Sequence, residues 1–386
     1  DTAEYELATA QLRELQIQAK PQRPAEAMHA ILQLSQHTEN ESAVIQSTLD
    51  MEMQRAAATA INARLEQWRA AGAEQMALII VDIRSAQILS WLGSPDYAQR
   101  FGAIDYASVS RSPGSTLKPF IYAQALDQAL MQADTLVDDL PENSANISNA
   151  DRRFLGPMLP RVALANSRNV PAARVLRQLG LESAYWNLQD LGLHKHNRTA
   201  EQFGLSMAVG SLPTNLSALS RAYLTLAGDG SLPKLRWFNS QPKGIATRVF
   251  RPATAQLLTR FLSDPQARLP GFPRMGSTEY PFPVALKTGT SQGYRDAWTV
   301  AWSGDYLVAS WVGRADAMPM QALGGANTAA KLTRDILLQL HEHNPPTQRF
   351  ATPQGYQQHQ LCAYTGAEAS LGCPRSVREW LPANQK

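Results

Sequence analysis

The stretch RSPGSTLKPFIYAQALDQ, residues 111–128, decides how this chain is read. It sets Ser115 three positions ahead of Lys118, just after Pro113-Gly114. An apolar helical face follows at once: Leu117, Ile121, Tyr122, Ala125, Leu126 and Ala129. On a helix, positions i and i+3 are neighbours, so the spacing lays Lys118 over Ser115. A helix N-terminus also offers free N–H groups and positive potential where an oxyanion would form. Two readings compete: an N-capping serine with a lysine in the first turn, or a nucleophile with its base. A serine hydroxyl is inert near neutral pH, and lysine becomes its base only if burial or a nearby cation lowers the lysine pKa. The second reading therefore requires a further cation elsewhere in the chain.

Working outward, the chain is 386 residues long, enough for one large domain or two ordinary ones. It is 44% hydrophobic and 18% charged, which reads as globular rather than disordered. Net charge is only +3 and the basic clusters are pairs such as Arg152-Arg153, which leaves no electrostatic footprint for nucleic acid. No window approaches the roughly 18–20 continuous apolar residues of a membrane span. The chain begins at Asp1, so the expectation is a processed or excised piece whose upstream signal or anchor is not in view. Two cysteines, Cys362 and Cys373, are either unrelated thiols or a small-loop disulfide, which needs an oxidising compartment such as the periplasm. The histidine pairs His194/His196 and His341/His343 fit solvated turns and helix ends; no metal site and no cofactor are expected.

Residues 1 to about 40, rich in Glu, Gln and Ala and broken by Pro21 and Pro24, read as a helical connector rather than core. A helix is expected from Asp50 to about Gly72. MALIIVDI (76–83) and QILSWLG (87–93) read as a β-hairpin, and PVALKTG (283–289), AWTVAW (297–302) and YLVASWVG (306–313) as three more strands. The segment from about 115 to 270 is mainly helical, and a closing helix runs from about Asn327 to His341, with Pro345-Pro346 stopping it. Hairpin-joined strands are antiparallel. The expected fold class is therefore α/β of the α+β type: one antiparallel sheet flanked by helices.

Ser-x-x-Lys also occurs at Ser231–Lys234 and Ser240–Lys243, but each has a proline inside it and no helical face after it, so both read as loops. The required cation is supplied by KTGT, Lys287–Thr290, at the end of a strand pattern, with Gly289 where a substrate might meet bare backbone. Between the two lies Ser167-Arg168-Asn169, set between apolar helical stretches; the other Ser-x-Asn, Ser144 to Asn146, sits in a polar loop.

Ser-x-x-Lys, Ser-x-Asn and Lys-Thr-Gly in that order, at 115, 167 and 287, resemble the pattern of the active-site-serine penicillin-recognising enzymes. STLDMEMQRAA (47–57), ALIIVDIRSAQILSWLGS, RSPGSTLKPFIYAQALDQ, DRRFLGP (151–157), ALANSRNVPA and KTGTSQGYRDAW (287–298) look like the transpeptidase domain of class A penicillin-binding proteins. RSPGSTLKPF and GYRDAW look most like the 1C subgroup, and LCAYTGAEASLGC is similar to its cysteine-bearing stretch, less specifically. The resemblance covers residues 45 to 340. It implies a connector over 1–45, a transpeptidase domain over 46–345 and a cysteine-bearing tail over 346–386. Class A proteins carry a glycosyltransferase domain upstream, and no segment here has its acidic motifs.

The resemblance implies the following roles. Ser115 attacks a D-Ala-D-Ala carbonyl, with neutral Lys118 as base. Ser167 relays a proton to the leaving amine beside Lys287, which supplies the extra positive charge. Asn169 binds a stem-peptide amide and contacts Lys118. Thr288 and Thr290 bind the terminal carboxylate, and the N–H groups of Ser115 and Thr290 form the oxyanion hole. Implied partners are peptidoglycan stem peptides, with a meso-diaminopimelate acceptor, β-lactams and other cell-wall synthesis proteins; the implied location is the periplasmic face of the inner membrane, through an anchor outside this chain. Arg295 and Asp296 are expected to order the turn after the KTGT strand, Trp298, Trp302 and Trp311 to lie in core or groove wall, and Tyr294 to line the cleft. Competing functions are a D,D-carboxypeptidase or β-lactamase, in which water replaces the amine, and a binding protein with little turnover.

Overall fold

The computed structural model describes residues 2–6, 9, 24–37, 44–141, 147–195 and 197–383. Ser144, Asn146 and His196 lie outside them. Strand β1 (Gln75–Asp82) shows how the sheet is built. Successive side chains of a strand point to opposite faces. Ala77, Ile79 and Val81 enter one hydrophobic cluster, while Met76, Leu78 and Ile80 enter a second. An apolar run with no polar alternation is what a strand covered on both faces requires. The other strands are β2 (Gln87–Leu92), β3 (Ala285–Thr290), β4 (Asp296–Trp302) and β5 (Tyr306–Gly313), in the order β2-β1-β5-β4-β3. All neighbours are antiparallel. The expected antiparallel sheet flanked by helices is thus the observed one.

Helix α1 (Met28–His37) precedes α2 (Met51–Trp68), whose N-terminus is capped by the Asp50 carboxylate accepting from the Glu52 and Met53 amides. The central helices are α3 (Lys118–Asp127), α4 (Asn169–Leu179), α5 (Leu181–Asp190), α6 (Leu216–Ala227) and α7 (Pro252–Ser263), and α8 (Ala329–Leu340) closes the domain. Ile61 and Leu65 of α2 and Leu332 and Ile336 of α8 cover one face of the sheet. The central helices cover the other, where Trp298, Trp302 and Trp311 are fully buried.

Three features depart from the sequence reading. The described part of the connector is packed: Ala30 of α1 joins the main core, and Gln33 bonds Asp105 at 2.7 Å. A small side chain lets that helix approach the sheet, which composition alone does not reveal. Short strand pairs punctuate the helical middle, Val137–Asp139 with Gly156–Met158 and Ser231–Leu232 with Thr247–Arg248, so Ser231 is in a short ladder rather than a loop. The tail holds a hairpin, β6 (Tyr356–Cys362) with β7 (Ser376–Pro382), and a disulfide joins Cys362 to Cys373. Leu361 and Leu381 reach the main core.

Candidate active site

Ser115 lies in a 3-10 turn, Gly114–Leu117, and α3 begins only at Lys118. The serine makes no side-chain capping bond, so it is not spent as an N-cap. Four bonds fix the turn. Trp298 Nε1 donates to the Ser112 carbonyl (2.8 Å) and Ser112 Oγ to the Gly210 carbonyl (2.7 Å). Thr116 Oγ1 donates to the Pro113 carbonyl (3.0 Å), and the buried Tyr223 hydroxyl to the Thr116 carbonyl (2.6 Å). Gly114 has φ +56°, and a Cβ there would lie 2.6 Å from the Thr290 nitrogen. The nucleophile's turn and the KTGT strand therefore meet backbone to backbone, which brings Ser115 beside Thr290.

Gly289 serves the same contact. Its missing side chain is replaced by the Pro113 carbonyl, with Thr116 Cγ2 2.7 Å from where a Cβ would be. The bare backbone expected to receive substrate is approached by the protein's own turn, because β3 is the edge strand and Gly289 faces the helical layer. Thr288 and Thr290, together with Ser115, Ser167 and Asn169, line a cleft of about 860 Å³. The Thr290 hydroxyl accepts the Gly325 amide at 3.0 Å.

Lys118 is fully buried, and its Nζ donates to the Ser167 carbonyl and to Asn169 Oδ1, both at 2.6 Å. Lys287 Nζ donates to Ser167 Oγ (2.7 Å) and to the Thr288 carbonyl (2.8 Å). Ser167 thus bridges the two lysine amino groups, one through its backbone and one through its side chain. It does so at φ +59°, a region uncommon for non-glycine residues. All four acceptors are neutral oxygens. Burial holds Lys118 well below the ordinary lysine range, with the charges of Lys287 and then Arg168 adding to it and Asp139 opposing. Burial pushes Lys287 down to about 7. A neutral lysine at Lys118, three positions from Ser115, has the protonation state a general base needs.

The surrounding residues order these groups. Asn166 uses its whole carboxamide: Nδ2 donates to the carbonyls of Val162, Ala267 and Leu269, and Oδ1 accepts from Gly271. It ties the Ser167 turn to the segment bearing Gly271 and Phe272, which line the cleft. Asp296 accepts from Ser291 Oγ (2.9 Å) and Trp311 Nε1 (3.1 Å), ordering the turn after β3; burial raises its pKa. Tyr294, half exposed, lines the cleft. Sequence reasoning missed Asn149, Asp139 and Arg168. The one available signal was Arg168 itself, a charge between two apolar helical stretches that burial would force to find a partner.

Residues 76–331 match the family model described as the penicillin-binding protein transpeptidase domain. Penicillin-binding protein 1C of Escherichia coli (strain K12) is 31% identical over 355 residues, 87% of this chain and 44% of that protein. The chain thus spans less than half the length of that relative. Among solved structures, penicillin-binding protein 1A from Haemophilus influenzae superposes with a TM-score of 0.79 at 16% identity, over 100% of this chain and 80% of that one. The PonA1 protein from Mycobacterium tuberculosis, solved in complex with penicillin V, superposes with a TM-score of 0.67 at 19% identity, over 85% of this chain and 94% of that one. With the family model covering most of the chain and laid over the serine, both lysines and the sheet that positions them, this protein belongs to the penicillin-binding protein transpeptidase family.

Proposed function

We propose that the chain is the catalytic part of a peptidoglycan D,D-transpeptidase acting through a serine acyl-enzyme. The observation that carries this reading is the bridging of Lys118 and Lys287 by Ser167, in the cleft that Ser115 lines. Lys118 takes the Ser115 proton as Oγ attacks the carbonyl carbon of a D-Ala-D-Ala peptide bond. The oxyanion is held by the Ser115 and Thr290 N–H groups, each worth ~2.7–4 kcal/mol in comparable sites. Ser167, beside Lys287, passes a proton to the leaving nitrogen, the C–N bond breaks and D-Ala departs. Asn169 holds a stem-peptide amide, and Thr288 and Thr290 hold the terminal carboxylate. The amine of a second stem peptide then attacks the ester, loses a proton, and regenerates Ser115. A β-lactam acylates Ser115 by opening its own C–N bond, and its tethered amine leaves the ester stalled.

In this reading residues 1–45 join the domain to an upstream part, 46–345 form the transpeptidase domain, and 346–386 follow it as the cysteine-bearing segment. The site of action is the periplasmic face of the inner membrane, with cell-wall synthesis proteins as further partners; among the described residues no helix is long and apolar enough to cross a membrane. The test is intact-mass spectrometry after incubation with labelled penicillin, on wild type and Ser115→Ala. A stable single adduct on wild type, absent from Ser115→Ala, is expected. An adduct lost within minutes with release of hydrolysed drug would make the protein a β-lactamase, and release of D-Ala without cross-linked product would make it a carboxypeptidase. Slow acylation with no peptide product would leave a binding protein.

A further inference from the structure

Asn169 meets Lys118 only if the start of α4 is held in place, and the groups that hold it come from a distant segment. Asp139 ends the three-residue strand Val137–Asp139, and its carboxylate is fully buried. Its Oδ1 accepts from Asn149 Nδ2 at 2.6 Å. Its Oδ2 accepts from Arg168 Nε at 2.7 Å and from the Leu155 amide at 3.0 Å. The two side chains it grips flank Asn169. Arg168 is the preceding residue and is itself buried; its other nitrogens donate to Asp151 (2.8 Å) and to the Arg153 carbonyl. Asn149 Oδ1 accepts the Asn169 backbone N–H at 2.8 Å, so it caps α4 from outside, where Arg168 at the N-cap position gives no side-chain cap. The Asn169 carboxamide is pinned at both ends, Nδ2 to the Ser148 carbonyl (2.8 Å) and Oδ1 by Lys118 (2.6 Å).

We propose that Asp139 is a positioning residue for acylation: through Arg168 and Asn149 it fixes the Ser167–Arg168–Asn169 turn so that its oxygens face the two lysines. The proposal rests on the serine acyl-enzyme reading above. A buried carboxylate with three donors, one of them a guanidinium, is a rigid anchor, and leaving any donor unpaired in that interior is costly. The anchor is also electrostatic. The charges acting on Lys118 are Lys287 from β3, Arg168 from the turn before α4, and Asp139, with Asp151 held on Arg168. Tyr122, on the next turn of α3, is a buried phenol kept neutral by burial and by Asp139. Asp139 favours the charged form of Lys118 and Arg168 disfavours it. The two therefore move the base in opposite directions.

The test is the second-order rate constant of acylation by labelled penicillin as a function of pH, for wild type, Asp139→Asn, Arg168→Gln and Asn149→Ala. A rate that depends on neutral Lys118 falls on the acid side as that lysine protonates. In Asp139→Asn the plateau rate drops, by up to about 100-fold for an ångström-scale misplacement, and the acid limb moves to lower pH. In Arg168→Gln the acid limb moves to higher pH. In Asn149→Ala the rate drops and the limb stays. A merely structural role would lower melting temperatures and leave every limb in place, and that result overturns the proposal, as does a wild-type rate in Asp139→Asn. Should Asp139→Asn fail to fold, the limb in Arg168→Gln and the rate in Asn149→Ala decide. Absence of any Ser115 adduct on wild type removes the acyl-enzyme reading, and this proposal with it, whereas failure of this proposal alone leaves a wild-type adduct that Ser115→Ala abolishes.

Discussion

Arg161, in the short helix Pro160–Ala165, lies against two carboxylates: Glu379 of β7, fully buried and bound at 2.7 Å through Nε, and Asp264 at 3.3 Å. Lys118 and Lys287 are buried as well, yet each is bonded only to neutral oxygens. The pairing with Glu379 and Asp264 leaves the Arg161 guanidinium charged and above its usual range despite its burial. The two lysines are driven the other way. Where the protein needs a brace, it supplies a countercharge; where it needs a base, it withholds one. The difference is chemical rather than positional, since both sites border the helical layer.

The comparison is broken most severely by removing the base. Lys118→Met should lower the acylation rate constant by roughly 10²–10⁴-fold, the usual worth of a general base, measured with labelled penicillin. On the braced side, Glu379→Ala leaves the buried Arg161 with only Asp264, at 3.3 Å, as countercharge, a change expected to cost up to about 3–5 kcal/mol, the range for breaking a buried pair. Thermal or denaturant unfolding should show that loss, with any remaining folded protein still acylated at Ser115. Gly289→Ala is a middle case: a Cβ driven into the Pro113 carbonyl should cost about 1–3 kcal/mol of overpacking strain and slow acylation by shifting the nucleophile's turn. The smallest loss of stability is expected at Lys287. Its folded pKa of about 7 lies below the ordinary lysine value, so between the two the unfolded chain binds more protons. The cost of burying this charge is therefore present in full below about pH 7 and is relieved as pH rises toward the unfolded value of roughly 10.4. Wild-type stability should rise over that window. Lys287→Met should lose the rise and, at pH 7, melt no lower than wild type, because it removes the buried charge whose cost is largest there. A melting drop as large as that of Glu379→Ala would erase the distinction between the two sites.

The sheet was legible in the sequence because its strands are mostly buried and rich in Ile, Leu, Val, Ala and Trp, with β1 the longest apolar run, MALIIV, and polar residues such as Lys287 and Thr288 confined to motif positions. The tail hairpin was not: YQQHQLC and SVREWLP are largely polar, and their core contacts come from scattered residues such as Leu361, Val377 and Leu381 beside the buried Glu379. Ser115, Lys118, Ser167 and Lys287 were legible as spaced motifs in helical or strand context. That Ser115 sits in a 3-10 turn was not, since i and i+3 spacing suits both helix types. Asp139 and Asn149 left no mark, because 29 positions separate Asp139 from Arg168 and no short-range periodicity connects them. Gly289 was singled out as bare backbone for a substrate to approach; in the fold the Pro113 carbonyl is what comes close to it.

Burial and the charge of Lys287 hold Lys118 well below the ordinary lysine range, and its role as base depends on that shift. The most direct measurement is the pH dependence of Ser115 acylation by penicillin, from pH 5 to pH 10, on wild type. With Lys118 depressed by burial and Lys287 needed as a cation, the rate should plateau or peak near neutrality and fall on the alkaline side as Lys287 loses its proton near pH 7. A Lys287→Arg control should remove that alkaline fall. A rate that instead climbs tenfold per pH unit up to pH 10 would mean Lys118 titrates as an ordinary lysine, and would contradict the account.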